Sequence, residues 1–314
     1  VQMAEWMPER APELLEALEA AIALVTGGRP GAAARARAVP APVLSRPGPP
    51  PGPGTGRHTV AATGHAHIDT AWLWPVRETR RKCARTFANQ LRLLERYPDH
   101  HFVCSQAVQY QWLKDGYPDL FEQVRAQVAA GRWEPVGGMW VEADSNIPSG
   151  ESLVRQFVHG KRFFLEEFGV ESAEMWIPDV FGYSAALPQI AASAGVTALV
   201  TQKMSWSDTN RFPHSTFMWE GHDGSRVLAH FPPANTYNGT MRVPELLNDA
   251  RNFADGARSG LTLYPYGYGD GGGGPTGQMV ERARRLADVD GLPKVEIGPA
   301  HRFLDRVRAE GAGL

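Results

Sequence analysis

Two textures of apolar and polar residues divide this chain. Near the start, "APELLEALEAAIALV" places Leu14, Leu15, Leu18, Ile22 and Val25 at helical spacing, and Gly27-Gly28 offers a stop. The next stretch, "RPGAAARARAVPAPVLSRPGPPPGPGTGR", has no acidic residue and no apolar period, and reads as an exposed, partly extended linker. The helix before it is either the remainder of an upstream region or a cap docked on the main domain. From His58 onward, short strand-like runs alternate with amphipathic helical stretches. "HTVAATG" precedes "RRKCARTFANQLRLLERY", and "HFVCSQ" precedes "PDLFEQVRAQVAAG". "EMWIPD" precedes "ALPQIAASAG"; "TALVTQ" and "SRVLAHF" come next; "LTLYPYG" precedes "GQMVERARRLA". Repeated strand-then-helix order predicts an α/β fold, with parallel strands in a sheet or barrel and helices outside. The division predicted is therefore a helix and linker over residues 1–57 and a catalytic unit over 58–314.

Chemistry in such folds gathers at the carboxyl ends of the strands. "GHAHIDTAWLWP" puts His65, His67 and Asp69 at every second position after the run "TVAAT". Residues two apart in a strand share a face, and imidazole with carboxylate suits a divalent metal, although a polar strand end facing water has the same spacing. Asp179 follows "EMWI" and Asp270 follows "LTLYPYGYG". Carboxylates far apart in sequence thus fall at one predicted end of the sheet, as an active site requires. The loop "GDGGGGPTG" lacks the lysine of a phosphate-binding P-loop and fits the dinucleotide fingerprint only loosely. Its glycines suit close backbone approach to a ligand around Asp270, or simply a flexible loop. Trp72 and Phe181 each lie within three residues of a suspected ligand and could pack on a sugar ring. Asp144, Asn146 and Glu151 could bond a substrate, but Ser149 with Ser152 reads better as a helix cap.

The bulk numbers narrow the classes. With 314 residues, a net charge of -2 and 21% charged residues, nothing favours nucleic acid or an anionic membrane surface. No apolar run approaches the ~20 residues of a membrane span. Cys83 and Cys104 make no disulfide framework, which suits a reducing, cytoplasmic setting. The first residue is Val1, so the chain is expected to be a fragment.

The blocks "GHAHIDTAWLWP", "GRWEPVGGMWVEADSNIPSGES", "WIPDVFGYS", "TQKMSWSDTNRFP" and "YGYGDGGGGPT" together resemble the catalytic domain of glycoside hydrolase family 38 α-mannosidases, of the cytosolic and bacterial-type branch. The resemblance implies a metal-dependent retaining exoglycosidase on a seven-stranded β/α barrel. It implies Zn²⁺, with Co²⁺ as an alternative, on His67, Asp69 and Asp179. Asp179 would also be the nucleophile and Asp270 the general acid/base. Trp72 and Phe181 would pack around the bound sugar, and His65, not a family ligand, would support the site from behind. The implied partner is a mannose-containing oligosaccharide, with self-association into a homo-oligomer left open.

One departure bears on activity. The family draws a further ligand histidine from a "His-Asp" segment downstream of the Gly-rich loop, which this sequence does not contain. His301, in "GPAHRFLD", lies outside that motif. The expectation is a chain truncated at both ends, with weak metal binding and poor turnover. Two rivals remain. A metal-dependent amidohydrolase also opens on His-x-His, but it expects more histidines at later strand ends, where this chain has Asp179 and Asp270. A catalytically inactive sugar-binding fragment is the other.

Overall fold

The computed structural model describes residues 2–45 and 58–310. Nine strands are present among them: β1 (Thr59–His65), β2 (Phe102–Cys104), β3 (Trp133–Pro135), β4 (Glu174–Trp176), β5 (Ala198–Val200), β6 (Thr216–Glu220), β7 (Arg226–His230), β8 (Leu261–Tyr266) and β9 (Lys294–Ile297). β1 is central to a five-stranded sheet, paired in parallel with β8 on one side and with β9 and then β2 on the other. β3 continues that sheet beyond β2. The second sheet runs β4-β5-β7-β6, parallel except for the β6–β7 hairpin.

The α/β architecture with parallel strands and outer helices matches the sequence pattern. The closed seven-stranded ladder does not appear: backbone pairing gives sheets of five and four strands. The reason lies at two seams. Between β8 and β7, the Leu263 N–H donates to His230 Nε2 at 3.2 Å. Between β3 and β4, the Gly137 N–H donates to Glu174 Oε1 at 3.4 Å. Side chains stand at both joins where a ladder would need two backbones at pairing distance.

A shared interior connects the sheets across these seams. Val103, Trp176, Val200, Leu228 and Leu263, from strands of both sheets, form one buried cluster with Phe303, Leu304 and Val307 of the helix Ala300–Glu310. That helix crosses the amino ends of the strands. Its last turn is tied by Arg308 to Thr197 and by Ser259 to Glu310, and Thr197 and Ser259 stand just before β5 and β8. The interior is thus stopped at one end, leaving the carboxyl ends free for loops. Outside, the helix Val76–Arg96 buries Cys83, Phe87, Leu91 and Leu94 at spacings of three and four, as an amphipathic helix should. The helix Gly150–Phe168 starts at Ser149, whose hydroxyl accepts from the Ser152 N–H at 3.3 Å, so the serine is a cap.

The N-terminal stretch departs from the expected linker. The helix Ala11–Thr26 is present, but Ala32–Ala38 and Ala41–Leu44 are helical too. Alanine carries strong helix propensity, and here it outweighs the Pro and Gly around it. The stretch docks rather than dangles: Arg10 pairs with Asp290 at 2.9 Å and donates to the Val43 carbonyl at 2.7 Å. Met7 joins Val243, Leu247, Val289 and Leu292 in a small core. The Pro-rich part of the expected linker, 46–57, lies outside the described residues.

Candidate active site

Three of the sequence-predicted residues follow strands of the first sheet. β1 ends at His65, so His67 and Asp69 stand in the loop beyond it rather than on the strand. Their alternation persists because the loop is held extended. Ile68 forms an antiparallel bridge with Gly271, and the Asp69 N–H donates to the Asp270 carbonyl at 2.9 Å. Gln106 and Gln109 both donate to the Ile68 carbonyl, at 2.8 and 3.0 Å. Ile68 itself is fully buried, which turns His67 and Asp69 the other way. Asp270 sits beyond β8 with φ of 58°, a left-handed conformation that is uncommon outside glycine. Gly272, Gly273 and Gly274 follow with positive φ and fold the loop back against the helix Val76–Arg96, where Thr86 and Gln90 hold Gly273.

Asp179 comes from the second sheet, past β4. Its loop is fastened by Asn146 Nδ2, which donates to the Phe181 carbonyl at 3.1 Å, and by the Tyr183 hydroxyl on the Val180 carbonyl at 2.9 Å. Gly182 is required there: φ is 113° and a Cβ would lie 2.1 Å from Asn146 Nδ2.

These loops bring His67, Asp69, Asp179 and Asp270 together, each offering one ligand atom within 4.8 Å of the others. His67 Nε2 lies 3.4 Å from Asp69 Oδ1 and 3.3 Å from Asp179 Oδ2. Its other nitrogen, Nδ1, lies 2.8 Å from Glu142 Oε2. Burial disfavours a charged His67, yet the carboxylates of Glu142, Asp179 and Asp69 hold its pKa well above the usual imidazole range. Asp179 shows the reverse balance. Burial raises it, but hydrogen bonds from His67 and Lys203 dominate and hold its carboxyl at about 2. Lys203 Nζ stands 2.5 Å from Asp179 Oδ1, with its ammonium 3.2 Å from the Trp206 ring centre and 4.6 Å from that of Phe181. Burial and the Asp179 charge push the Tyr237 phenol far up, so it stays a donor beside Asp179.

One imidazole nitrogen and three carboxylates at this separation are a donor set for a hard or borderline divalent cation. A second observation agrees: Asp270 Oδ1 is buried without a hydrogen-bond partner. The residues therefore fit a metal such as Zn²⁺.

The remaining predicted residues separate clearly. His65 is fully buried and is not part of the four-residue group. Its Nε2 accepts from Trp176 Nε1–H at 3.0 Å, which leaves the Nδ1–H to donate to the Tyr237 carbonyl at 3.3 Å. Burial and neighbouring His67 push its pKa down to about 3. It braces β1 against β4 beneath the site. Phe181 is 68% exposed and Trp72 59%, both unusual for large rings and each within three residues of one of the acids in the chain. Trp72 packs edge-on against Trp74. Asp144 accepts from the N–H groups of Asn146 and Ile147 and so shapes its own turn. His301 pairs with Glu134 at 2.8 Å in the helix across the amino ends, away from the acids.

Comparison with known proteins fits this geometry. Residues 57–312 match the model of the glycosyl hydrolases family 38 N-terminal domain. The chain belongs to that family. Within glycosyl hydrolase family 38, it is 49% identical over 258 residues to alpha-mannosidase 2C1 of Homo sapiens, covering 82% of this chain and 25% of the relative. It is 46% identical over 245 residues to an alpha-mannosidase of Saccharomyces cerevisiae, covering 76% and 23% respectively. The chain thus spans about a quarter of the length of these relatives. In fold, it is similar to an alpha-mannosidase structure from Enterococcus faecalis V583, with a TM-score of 0.68 at 20% identity over 81% of this chain and 29% of that one.

Glu142, Lys203 and Tyr237 are site residues that the sequence pattern does not single out. Glu142 and Lys203 do fall inside motif blocks, "GGMWVEADSN" and "TQKMSW", but on a loop and on a single turn of 3-10 helix, where no periodicity marks a facing direction. A charged residue beside tryptophans is the available signal.

Proposed function

We propose that this domain carries the reaction centre of a metal-dependent, retaining α-mannosidase acting on terminal α-D-mannosyl residues of oligosaccharides. The single observation that carries the reading is the convergence of His67, Asp69, Asp179 and Asp270, from both sheets, within 4.8 Å. The relatives named alpha-mannosidase support the substrate class. On this reading the parallel strands β1, β2, β3, β4, β5, β7 and β8 work as one seven-stranded barrel, with His230 and Glu174 standing in for ladder contacts at its seams.

The mechanism follows from the donors. His67, Asp69 and Asp179 would hold a divalent ion, Zn²⁺ or Co²⁺, which when bound supplies Lewis acidity toward the cis 2- and 3-hydroxyls of mannose. Asp179 attacks the anomeric carbon; it is ionised, and Lys203 keeps one of its oxygens aimed. Asp270 gives its proton to the departing oxygen, then takes one from the water that frees the sugar. Retaining glycosidases keep their two carboxyl groups about 5 Å apart, and Asp179 and Asp270 offer oxygens within 4.8 Å of each other. The exposed rings of Trp72 and Phe181 offer faces to the sugar. Buried free Cys83 and Cys104 fit a cytoplasmic location.

A second role for Asp270, as a further metal ligand, is favoured by its membership of the same four-residue group. One chain of measurements separates these. Release of nitrophenol from an aryl α-mannoside should depend on added Zn²⁺ or Co²⁺, stop with a chelator and vanish in Asp179→Asn. Asp270→Asn should keep metal affinity and lose mainly poor leaving groups if it is the acid; it should lose metal affinity if it is a ligand. Amide cleavage without mannoside cleavage would support the amidohydrolase alternative. Metal and sugar binding without turnover would support an inactive sugar-binding fragment.

A further inference from the structure

His67 presents Nε2 to the acids, and a separate pair of side chains holds its other face. Glu142 Oε2 lies 2.8 Å from Nδ1, and both side chains are 4% exposed. Both atoms are buried, and neither makes an aligned hydrogen bond, so the contact is a close ion pair. The second oxygen of Glu142 accepts from Ser105 Oγ at 2.5 Å. Among the described residues no lysine or arginine pairs with Glu142, so a buried carboxylate is spent on one imidazole and one hydroxyl. Burying a carboxylate is costly, and an apolar residue would fill the space without that cost.

The backbone places this acid firmly. The Ala107 and Val108 N–H groups donate to the Met139 and Trp140 carbonyls at the start of one helix. The Val141 N–H donates to Gln156 Oε1 at 3.0 Å, from another. Ser105 follows β2 directly, His67 follows β1, and Glu142 follows β3. The hydroxyl, imidazole and carboxylate thus stand beyond three neighbouring strands of one sheet.

We infer that Ser105 and Glu142 are positioning residues that fix the His67 ring with Nε2 as the metal-facing nitrogen. The inference rests on the proposed metal role of His67 and adds residues to it. Ser105 orients the carboxylate, the carboxylate stands against the Nδ1 side of the ring, and Nε2 is left as the nitrogen that faces the space among the three aspartates. Outer-shell carboxylates of this kind change metal affinity by about 10–100-fold when removed.

The test is a Co²⁺ titration of the whole chain, read by visible absorption, with Zn²⁺ affinity from competition against the bound Co²⁺. Wild type, Glu142→Ala, Glu142→Gln, Ser105→Ala and His67→Ala are compared, and metal-free melting temperatures are measured alongside. Expected are affinity losses of about 10–100-fold in Glu142→Ala and smaller losses in Ser105→Ala, with Glu142→Gln between wild type and Glu142→Ala. The Co²⁺ spectrum should shift in Glu142→Ala while the metal-free melting temperature stays near that of wild type. Wild-type affinity and spectrum in Glu142→Ala would overturn the inference and leave the metal site standing. A lower melting temperature with unchanged affinity would also overturn it. Absence of Co²⁺ and Zn²⁺ binding by wild type itself would overturn both the inference and the metal reading.

Discussion

Replacing His230 with leucine removes the side chain that joins β7 to β8. In the folded chain the His230 Nε2 accepts from the Leu263 N–H at 3.2 Å, so the ring proton sits on Nδ1 and donates to Thr216 Oγ1 at 2.9 Å. Near neutral pH the variant leaves the Leu263 donor orphaned in a dry interior. That costs about 1–3 kcal/mol. Acid shrinks the difference, because burial lowers the His230 pKa from 6.5 to about 3. Between those values the unfolded chain binds a proton that the folded chain refuses, so stability rises with pH across the interval. The contribution is fully present above the unfolded value, fades as pH falls, and is exhausted below the folded one. About one unit under the unfolded value, wild type has lost about 1.4 kcal/mol that the variant never had. Urea unfolding followed by tryptophan fluorescence, at about pH 7.5 and about pH 5.5, would show the stability gap narrowing from roughly 2 kcal/mol to under about 1. A gap of the same size at both pH values would refute the argument, and with it the idea that a neutral imidazole fastens this seam.

Other contacts give further expected outcomes. Lys203→Met keeps the buried stem but removes the ammonium 2.5 Å from Asp179, and should lower kcat on aryl mannosides by roughly 10–100-fold with little change in KM; an unchanged kcat would show that His67 alone orients the nucleophile. Gly267→Ala forces a Cβ to within 2.2 Å of the His65 carbonyl at a φ of 139°, so it should cost more than about 3 kcal/mol and leave little folded chain by circular dichroism. Arg10→Ala breaks the pair with Asp290 and the bond to Val43, and limited proteolysis should then cut faster between Gly27 and Ser45 while the rest of the chain resists.

How legible the molecule is in its sequence depends on the length of each signal. β1 and β8 are long enough for an apolar run to declare itself, and the acids after them fall in the four-residue group. β2, β3, β4 and β5 have three residues each, too few for a period, and β3 escapes notice while its neighbours are found through flanking helices. Strand parity correctly groups His67 with Asp69 but also sweeps in His65. The structure separates them because His65 is still on the strand, facing Trp176 in the interior, whereas the others lie beyond its end. The alanine-rich segment after Gly31 passes for linker because its proline and glycine content masks the helix propensity of its alanines. The hydrogen bonds that His230 and Glu174 accept between the two sheets cannot be read at all, since they depend on contacts between residues distant in the chain.

The hydrogen bond from the Asp69 N–H to the Asp270 carbonyl has a consequence for the order in which the molecule assembles. It joins the loop after the first strand to the loop after the eighth, so a chain still extending toward Tyr266 has only half of the frame that holds its acids. Contacts between segments so far apart in sequence are slow to form, because a large loop must close first. Cation capture would therefore come late, after β8 has docked beside β1. On the proposed metal reading, uptake of Co²⁺ during refolding would time the arrival of β8, and the four-residue group would serve as a built-in clock for completion of the fold.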